Sequence, residues 1–361
     1  MPALADVLDL VALGTVADVV PLDRNNRILV QQGLLRIRAN RTRPGLLALL
    51  EIAGRQSQRV VASDLSFAVG PRLNAAGRLD DMSVGIACLL AEDEHTARQL
   101  AEHLDGFNRD RQSIEKGMQV EANAMLENLL ASEATELPNS LCIYEAGWHQ
   151  GVVGILASRV KDRLHRPTIA FADGDPGMIK GSARSIPGLH IRDALDRVAT
   201  TNPGLVTKFG GHAMAAGLSL RLEDLQRFRE AFDYQVGMLL DDVELEAVVE
   251  TDGELDPKEL DLGLALELRY AAPWGQHFAE PVFDGEFYLV QQRIVGERHL
   301  KLVLSNSASH TVLFDAIAFN IDTACWPNEE AERVRLAYKL DCNYFRGQER
   351  LQLMVDVIEA L

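Results

Sequence analysis

Apolar positions along this chain recur with two different periods, and the change from one to the other divides it. Leu4, Val7, Leu8 and Val11 return at helical spacing with Asp6 and Asp9 opposite, so the first dozen residues predict a helix with one face turned inward. Residues 24–50 alternate arginines with leucines and predict two short helices broken near Arg43-Pro44-Gly45. Over residues 83–130 one stripe, Leu100, Leu104, Phe107, Ile114, Met118, Met125 and Leu129, keeps spacings of three, four and seven, which predicts a long connecting helix. The pattern then shortens. Residues 141–144 and 168–172 read as strands on either side of a helix over 152–164, and 222–240 as a further amphipathic helix. Beyond Pro281, short β-like runs at 287–290, 300–304, 311–319, 336–340 and 351–357 are compatible with a small barrel of the oligonucleotide-binding type.

Breaks in the pattern predict the divisions. The polar, proline-containing stretch 133–139 predicts one domain boundary, and the acidic stretch 241–261, with ten acids against the single Lys258, predicts a linker into a third unit. A chain of 361 residues with 47% hydrophobic content can bury a sizeable core. No stretch is apolar for long enough to form a membrane helix. The first twenty residues hold Asp6 and Asp9 and no basic leader, so a cytoplasmic location is expected. Cys88, Cys142, Cys325 and Cys342 lie far apart without CxxC spacing, which indicates neither a zinc site nor a disulfide framework.

A net charge of -17 argues against a polyanionic partner, but the charge is unevenly spread. Residues 1–80 carry ten arginines against seven acids, and residues 157–217 nine basic residues against five acids, so a nucleic-acid surface remains open.

Candidate chemistry collects in glycine-rich stretches. In Lys208-Phe209-Gly210-Gly211-His212, two glycines allow backbone N–H groups to approach an anion, and His212 adds a ring beside them. A glycine turn with a backbone-bonded histidine is the alternative. Gly147-Trp148-His149-Gln150-Gly151 lies between a strand and a helix, where helix N-terminal N–H groups favour anions; His149 could bind phosphate or cap the helix. In Lys180-Gly181-Ser182-Ala183-Arg184-Ser185, the strand period places Ser182 and Arg184 on one face. Gly70-Pro71-Arg72-Leu73-Asn74-Ala75-Ala76-Gly77-Arg78 reads as a break in regular structure, with Arg72 and Arg78 as guanidinium forks for phosphate or as partners of aspartates in a loop. Asp18, inside an apolar run, is either a turn or capping carboxylate or a cation ligand.

Taken together, LVALGTVADVVPL (10–22), GPRLNAAGRLDD (70–81), GWHQGVVGILAS (147–158), KGSARS (180–185) and KFGGHAMAAGL (208–218) resemble the RecJ exonucleases of the DHH phosphoesterase superfamily along essentially the whole chain. The resemblance implies an α/β fold: the remainder of a DHH catalytic domain (1–85), a connecting helix (86–135), a DHH-associated domain that grips phosphate (136–240) and an OB-fold-like barrel for single strands (241–361). It implies metal-dependent 5′ to 3′ hydrolysis of single-stranded DNA, acting in DNA repair and recombination with Mn2+ or Mg2+. Carried over by motif, Asp18 is a metal ligand, and Arg72, Asn74, Arg78, His149, Ser182, Arg184, Gly210, Gly211 and His212 contact phosphate or nucleic acid. The partners implied are single-stranded DNA, a single-strand-binding protein and a helicase. The family's Asp-His-His tripeptide and aspartate-rich strand end are absent from this sequence. With Asp18 alone of the metal cage and no complete catalytic set, the chain is expected to bind metal weakly or not at all, to be inactive by itself, and to leave apolar residues near 7–20 uncovered. The alternatives are a small-substrate relative, an oligoribonuclease or nucleotide phosphatase, and a non-catalytic strand-binding module.

Overall fold

The computed structural model describes residues 4–131, 138–240, 248–321, 323, 325–345 and 347–361; the core of the first expected boundary and the start of the acidic one lie outside them. The chain forms two compact units, each discontinuous in sequence. One comprises Met1–Pro71, Cys88–Gln99 and Val249–Leu361, the other Arg72–Ala87 and Leu100–Val248.

The first unit begins with helices α1 (Leu8–Ala17), α2 (Arg24–Arg38) and α3 (Pro44–Ile52). Proline at the first turn of α3 needs no hydrogen-bond partner for its missing N–H, which explains why the chain breaks and restarts there. Asp9 departs from the expected polar face. It is buried, and its carboxylate accepts from the Thr42 hydroxyl at 2.7 Å and the Arg43 N–H at 3.1 Å. The α1 face expected to meet solvent is thus covered by the turn before α3. Of the apolar residues at 7–20 expected to be uncovered, Val19 and Val20 are exposed, whereas Ala12, Leu13 and Val16 are buried.

Gly70–Asp81 is not the loop expected of it. A continuous helical run comprises α4 (Ala62–Asp64), a π turn (Leu65–Val69) and α5 (Gly70–Leu79). The Gly70 N–H bonds Leu65 O, five residues back, and this wider turn admits Pro71, which would otherwise break the ladder. The expected helix over 83–130 is two, α6 (Ser83–Leu90) and α7 (Glu94–Ala131). Asp93 starts the second by accepting the Thr96 N–H at 2.8 Å.

The rest of the first unit is a closed barrel of β6 (Phe283–Val295), β7 (His299–Ser305), β8 (Leu313–Ala318), β9 (Arg333–Phe345) and β10 (Gln348–Ala360), in the order β10-β8-β7-β6-β9. Only the β8–β10 seam is parallel. Phe287, Phe314 and Tyr338 meet edge to face in its interior. The strands outrun their apolar cores because outward positions are charged and pair across strands, as in Arg335–Asp284 at 3.3 Å and Lys339–Asp356 at 2.7 Å.

The second unit is a three-layer α/β/α arrangement. Its sheet, β1 (Leu141–Tyr144), β2 (Thr168–Asp173), β3 (Met178–Arg184), β5 (Ala215–Arg221) and β4 (Lys208–Gly211), is parallel at β1–β2 and antiparallel elsewhere. Ile169, Phe171, Ile179, Leu218 and Leu220 face α9 (Ile191–Thr201) and α10 (Leu225–Leu239). On the opposite face, Ala170 and Ala172 pack with α8 (Val153–Leu164) and with Met118, Ala122 and Leu126 of α7. That cover ends at β3, and the site begins beyond it. A further helix, α11 (Leu262–Ala271), packs on β9 and β10 in the first unit.

Candidate phosphate-binding site

Register assigns the polar face of the second unit's sheet row by row. Ser182 stands opposite Gly217, which stands opposite Gly210; Arg184 stands opposite Ala215, and the His212 N–H bonds Ala215 O at 2.8 Å. Opposed residues in antiparallel strands share a face, so Ser182, Arg184, Gly210 and the hairpin of His212 border one strip floored by glycine and alanine. Lys180 and Lys208, both exposed, flank Ser219 in the next row. At Gly210 the place of a Cβ is open space, whereas Gly211 has φ +152° and a Cβ there would lie 2.4 Å from Ala215 O. The first glycine leaves the face bare and the second makes the turn.

Ser182 and Arg184 are joined: Arg184 Nη1 donates to Ser182 Oγ at 3.0 Å and to Ala183 O at 2.8 Å. Beneath them lies Gly154 in the first turn of α8, where a Cβ would come within 2.7 Å of Arg184 Nη2 and 2.8 Å of Ser182 Oγ. No side chain caps this helix at Val152. A guanidinium, a hydroxyl and a helix N-terminus therefore converge, a combination suited to phosphate oxygens. Burial pushes the Arg184 pKa down, and the like charge of Arg78 adds to this.

Arg78 reaches the same place from α5. Its Nη1 donates to Gly151 O at 3.1 Å, and Gly151 packs so close that a Cβ would lie 2.4 Å from Arg78 O. Its pKa is lowered by desolvation and then by Arg111, and is partly restored by Glu115. His149 lies in the same turn, its Nδ1 accepting the Gly151 N–H at 3.0 Å. That bond makes Nε2 the donor in the neutral ring. The turn is pinned by Asp173, whose carboxylate accepts from Tyr144 OH at 2.7 Å and Gly147 N–H at 2.9 Å, and by Trp148 Nε1 donating to Glu121 at 2.7 Å.

Other expected residues lie apart from this constellation. Arg72 is engaged by Asp105 at 2.9 Å, the arginine–aspartate pair that its motif also allowed, although on a helix. Asn74 is exposed on the same helix, two residues and more than half a turn from Arg72. Asp18 belongs to the first unit, where its backbone caps the end of α1 and its side chain is exposed. Among the described residues no three of His, Cys, Asp and Glu are grouped to hold a metal. Mn2+ and Mg2+ take about six oxygen ligands, and a lone carboxylate provides two at most. The described residues do not by themselves make a site for either ion.

Sequence reasoning missed a second polar group beside Arg78. On α7, Arg111 and Glu115 are each 9% exposed and joined at 2.7 Å; Arg111 also reaches Asn108 at 3.1 Å, and Arg159 of α8 reaches Glu115 at 3.3 Å. The signal was present. The α7 stripe jumps seven residues from Phe107 to Ile114, and Arg111 fills the skipped inward position.

Two domain families match the chain, one within each unit. A model of the DHHA1 domain matches residues 137–238, and one of the RecJ OB domain matches residues 251–357. The single-stranded-DNA-specific exonucleases RecJ of Dickeya dadantii and Escherichia coli are 59% and 57% identical over 98% and 99% of this chain. Along nearly its whole length the chain matches a portion of the RecJ exonucleases. It spans 61% and 62% of the length of those two relatives. The crystal structure of RecJ from Thermus thermophilus in complex with Mn2+ superposes with a TM-score of 0.78 at 28% identity, covering all of this chain and 50% of that one. A structure of the same protein with Mg2+ gives 0.76, and another exonuclease RecJ bound to manganese gives 0.54 over 68% of this chain. The α/β unit with a DHHA1 match and the closed RecJ-type barrel are the fold that the motifs implied. No helix among the described residues is long and apolar enough to cross a membrane.

Proposed function

We propose that this chain is the strand-gripping part of a single-stranded-DNA-specific 5′ to 3′ exonuclease, a metal-dependent phosphodiesterase of DNA repair and recombination. The observation that carries this reading is the convergence of Arg184, Ser182 and Arg78 over Gly154 and the start of α8. Arg184 offers its fork to a backbone phosphate, the Ser182 hydroxyl turns from guanidinium acceptor to phosphate donor, and Arg78 adds charge without entering the sheet. The bare strip of Gly210, Gly217 and Ala215 lets a sugar-phosphate backbone lie close to the protein backbone, with His212 at its border. Such contacts read phosphates rather than bases, as suits an enzyme that must advance along any sequence.

The closed barrel of the first unit favours a polymeric strand over a mononucleotide, since a small substrate requires no additional binding track. Divalent metal, Mn2+ or Mg2+, belongs to the proposal through the family, with Asp18 as a candidate ligand among the described residues; Arg72, Asn74 and His149 stay candidates for strand contact. By the same resemblance, the protein works in the cytoplasm with a single-strand-binding protein and a helicase.

The test is binding of a 5′-phosphorylated oligothymidylate by the intact protein, with and without Arg184→Ala. Losing a charge-assisted hydrogen bond costs about 1.5–3 kcal/mol, so affinity falls about tenfold or more while the fold persists. Unchanged affinity rejects the site. Preference for dinucleotides over long strands rejects the substrate class.

A further inference from the structure

Buried charge on an otherwise apolar helix stripe is costly, and a side chain retained there calls for a physical reason. Arg111 and Glu115 occupy such positions on α7, among Leu104, Met118, Ala122 and Leu126. Arg111 Nε is buried with no hydrogen-bond partner, so the pair is not an optimised structural bridge. Glu115 Oε2 accepts from Arg111 and Oε1 from Arg159 of α8, the helix whose first turn underlies Arg184 and Ser182. Arg78 senses both members of the pair, Arg111 as a like charge and Glu115 as an opposite one. In this group Arg78, Arg111, Arg159 and Arg184 are four cations with Glu115 as the anion among them.

We infer that Glu115 is a positioning residue for the phosphate site: an internal counter-charge, held between Arg111 and Arg159, that limits the positive field which the cluster presents to a DNA strand. The inference rests on reading Arg184 and Ser182 as phosphate contacts and adds how tightly that site holds its strand. A cluster with every charge uncompensated would bind phosphate more tightly and release it more slowly, which opposes stepwise movement along a polymer. Glu115 keeps the grip moderate. Because Arg111 is buried, it influences the strand through its field and not by contact.

The salt dependence of strand binding separates this role from simple packing. Binding of a 5′-phosphorylated oligothymidylate to the intact protein, measured by anisotropy in EDTA across a range of KCl concentrations, gives log Kobs against log salt with a slope of about -0.7 per neutralised phosphate on a single strand. Glu115→Gln keeps the shape and an acceptor but removes the charge; its slope should steepen by up to about 0.7, with tighter binding at low salt. Arg111→Gln should make the slope shallower by a similar amount, even though that side chain cannot reach the strand. The double variant should return to the parental slope. Slopes equal to the parent in whichever single variants fold, with only a lowered melting temperature, would overturn the inference. Arg184→Ala in the same assay tests the site itself: unchanged affinity there would reject the site and this inference with it, whereas weakened binding there beside parental slopes in the α7 variants would overturn the inference alone.

Discussion

Gly154 and Arg184 are in contact, the glycine lying so close beneath the guanidinium that a methyl group would come within 2.7 Å of Nη2. Only a residue without a side chain leaves the arginine where it can share a ligand with Ser182. Gly154→Ala should therefore displace the far end of Arg184 and weaken strand binding about tenfold, equivalent to about 1.4 kcal/mol, with little change in melting temperature. Titration of a labelled single strand beside thermal unfolding checks this; equal affinity would show that the arginine does not depend on the space.

The turn bearing His149 hangs on Asp173. Its carboxyl is held below the usual aspartate range by the Gly147 N–H and then by the Tyr144 hydroxyl, while that tyrosine is pushed up by the same bond. A carboxyl whose pKa is depressed by folding stabilises above its unfolded value, about 3.9, and the contribution is lost as pH falls through the folded value. Protection of the Gly147 amide against hydrogen exchange should persist from neutral pH down to the ordinary aspartate range and vanish below it. In Asp173→Asn it should be reduced across the whole range.

Thiol reactivity gives an independent check on packing. Burial pushes Cys88 up to about 11, Cys142 up to about 12 and Cys342 up to about 11, whereas Cys325 is exposed. Since the thiolate is the reactive form, a chromogenic disulfide at about pH 7.5 should label one thiol per native chain quickly and all four after unfolding. Two or more fast thiols would contradict the burial.

In the barrel, Phe287 meets both Phe314 and Tyr338 edge to face and is nearly fully buried. Phe287→Ala should cost about 3–5 kcal/mol in the denaturant unfolding of the barrel, from lost transfer energy plus the cavity left behind. A cost below about 1 kcal/mol would mean that the three rings do not form a packed centre.

Where a single period dominated, the sequence was legible. The helices at 24–38 and 44–52, the β-α-β unit from Leu141 and all five barrel strands were readable because apolar residues repeated with no competing signal. Pro71 was misleading. Proline and glycine announce a break, but the π turn at Leu65–Val69 absorbs the missing N–H, and no local pattern reveals a five-residue hydrogen bond. Asp93 was a readable helix start hidden by the stripe on either side of it. In the candidate site, the shared face of Ser182 and Arg184 followed from strand alternation, whereas the approach of Arg78 to Gly151 depends on long-range packing. Arg72 carries the least specific signal, since a guanidinium fork fits a carboxylate as well as a phosphate, and its pairing with Asp105, thirty-three residues away in sequence, could not be read from its own motif.

The discontinuous first unit has a consequence for biogenesis. Leu22 bonds Gln276 and Arg59 pairs with Glu349, so these helices of the first unit meet such partners only after the second unit, which lies between them in sequence, has been synthesised. The second unit, encoded between them, has most of its partners at hand sooner, so nascent chains should acquire a protease-resistant middle before either flank.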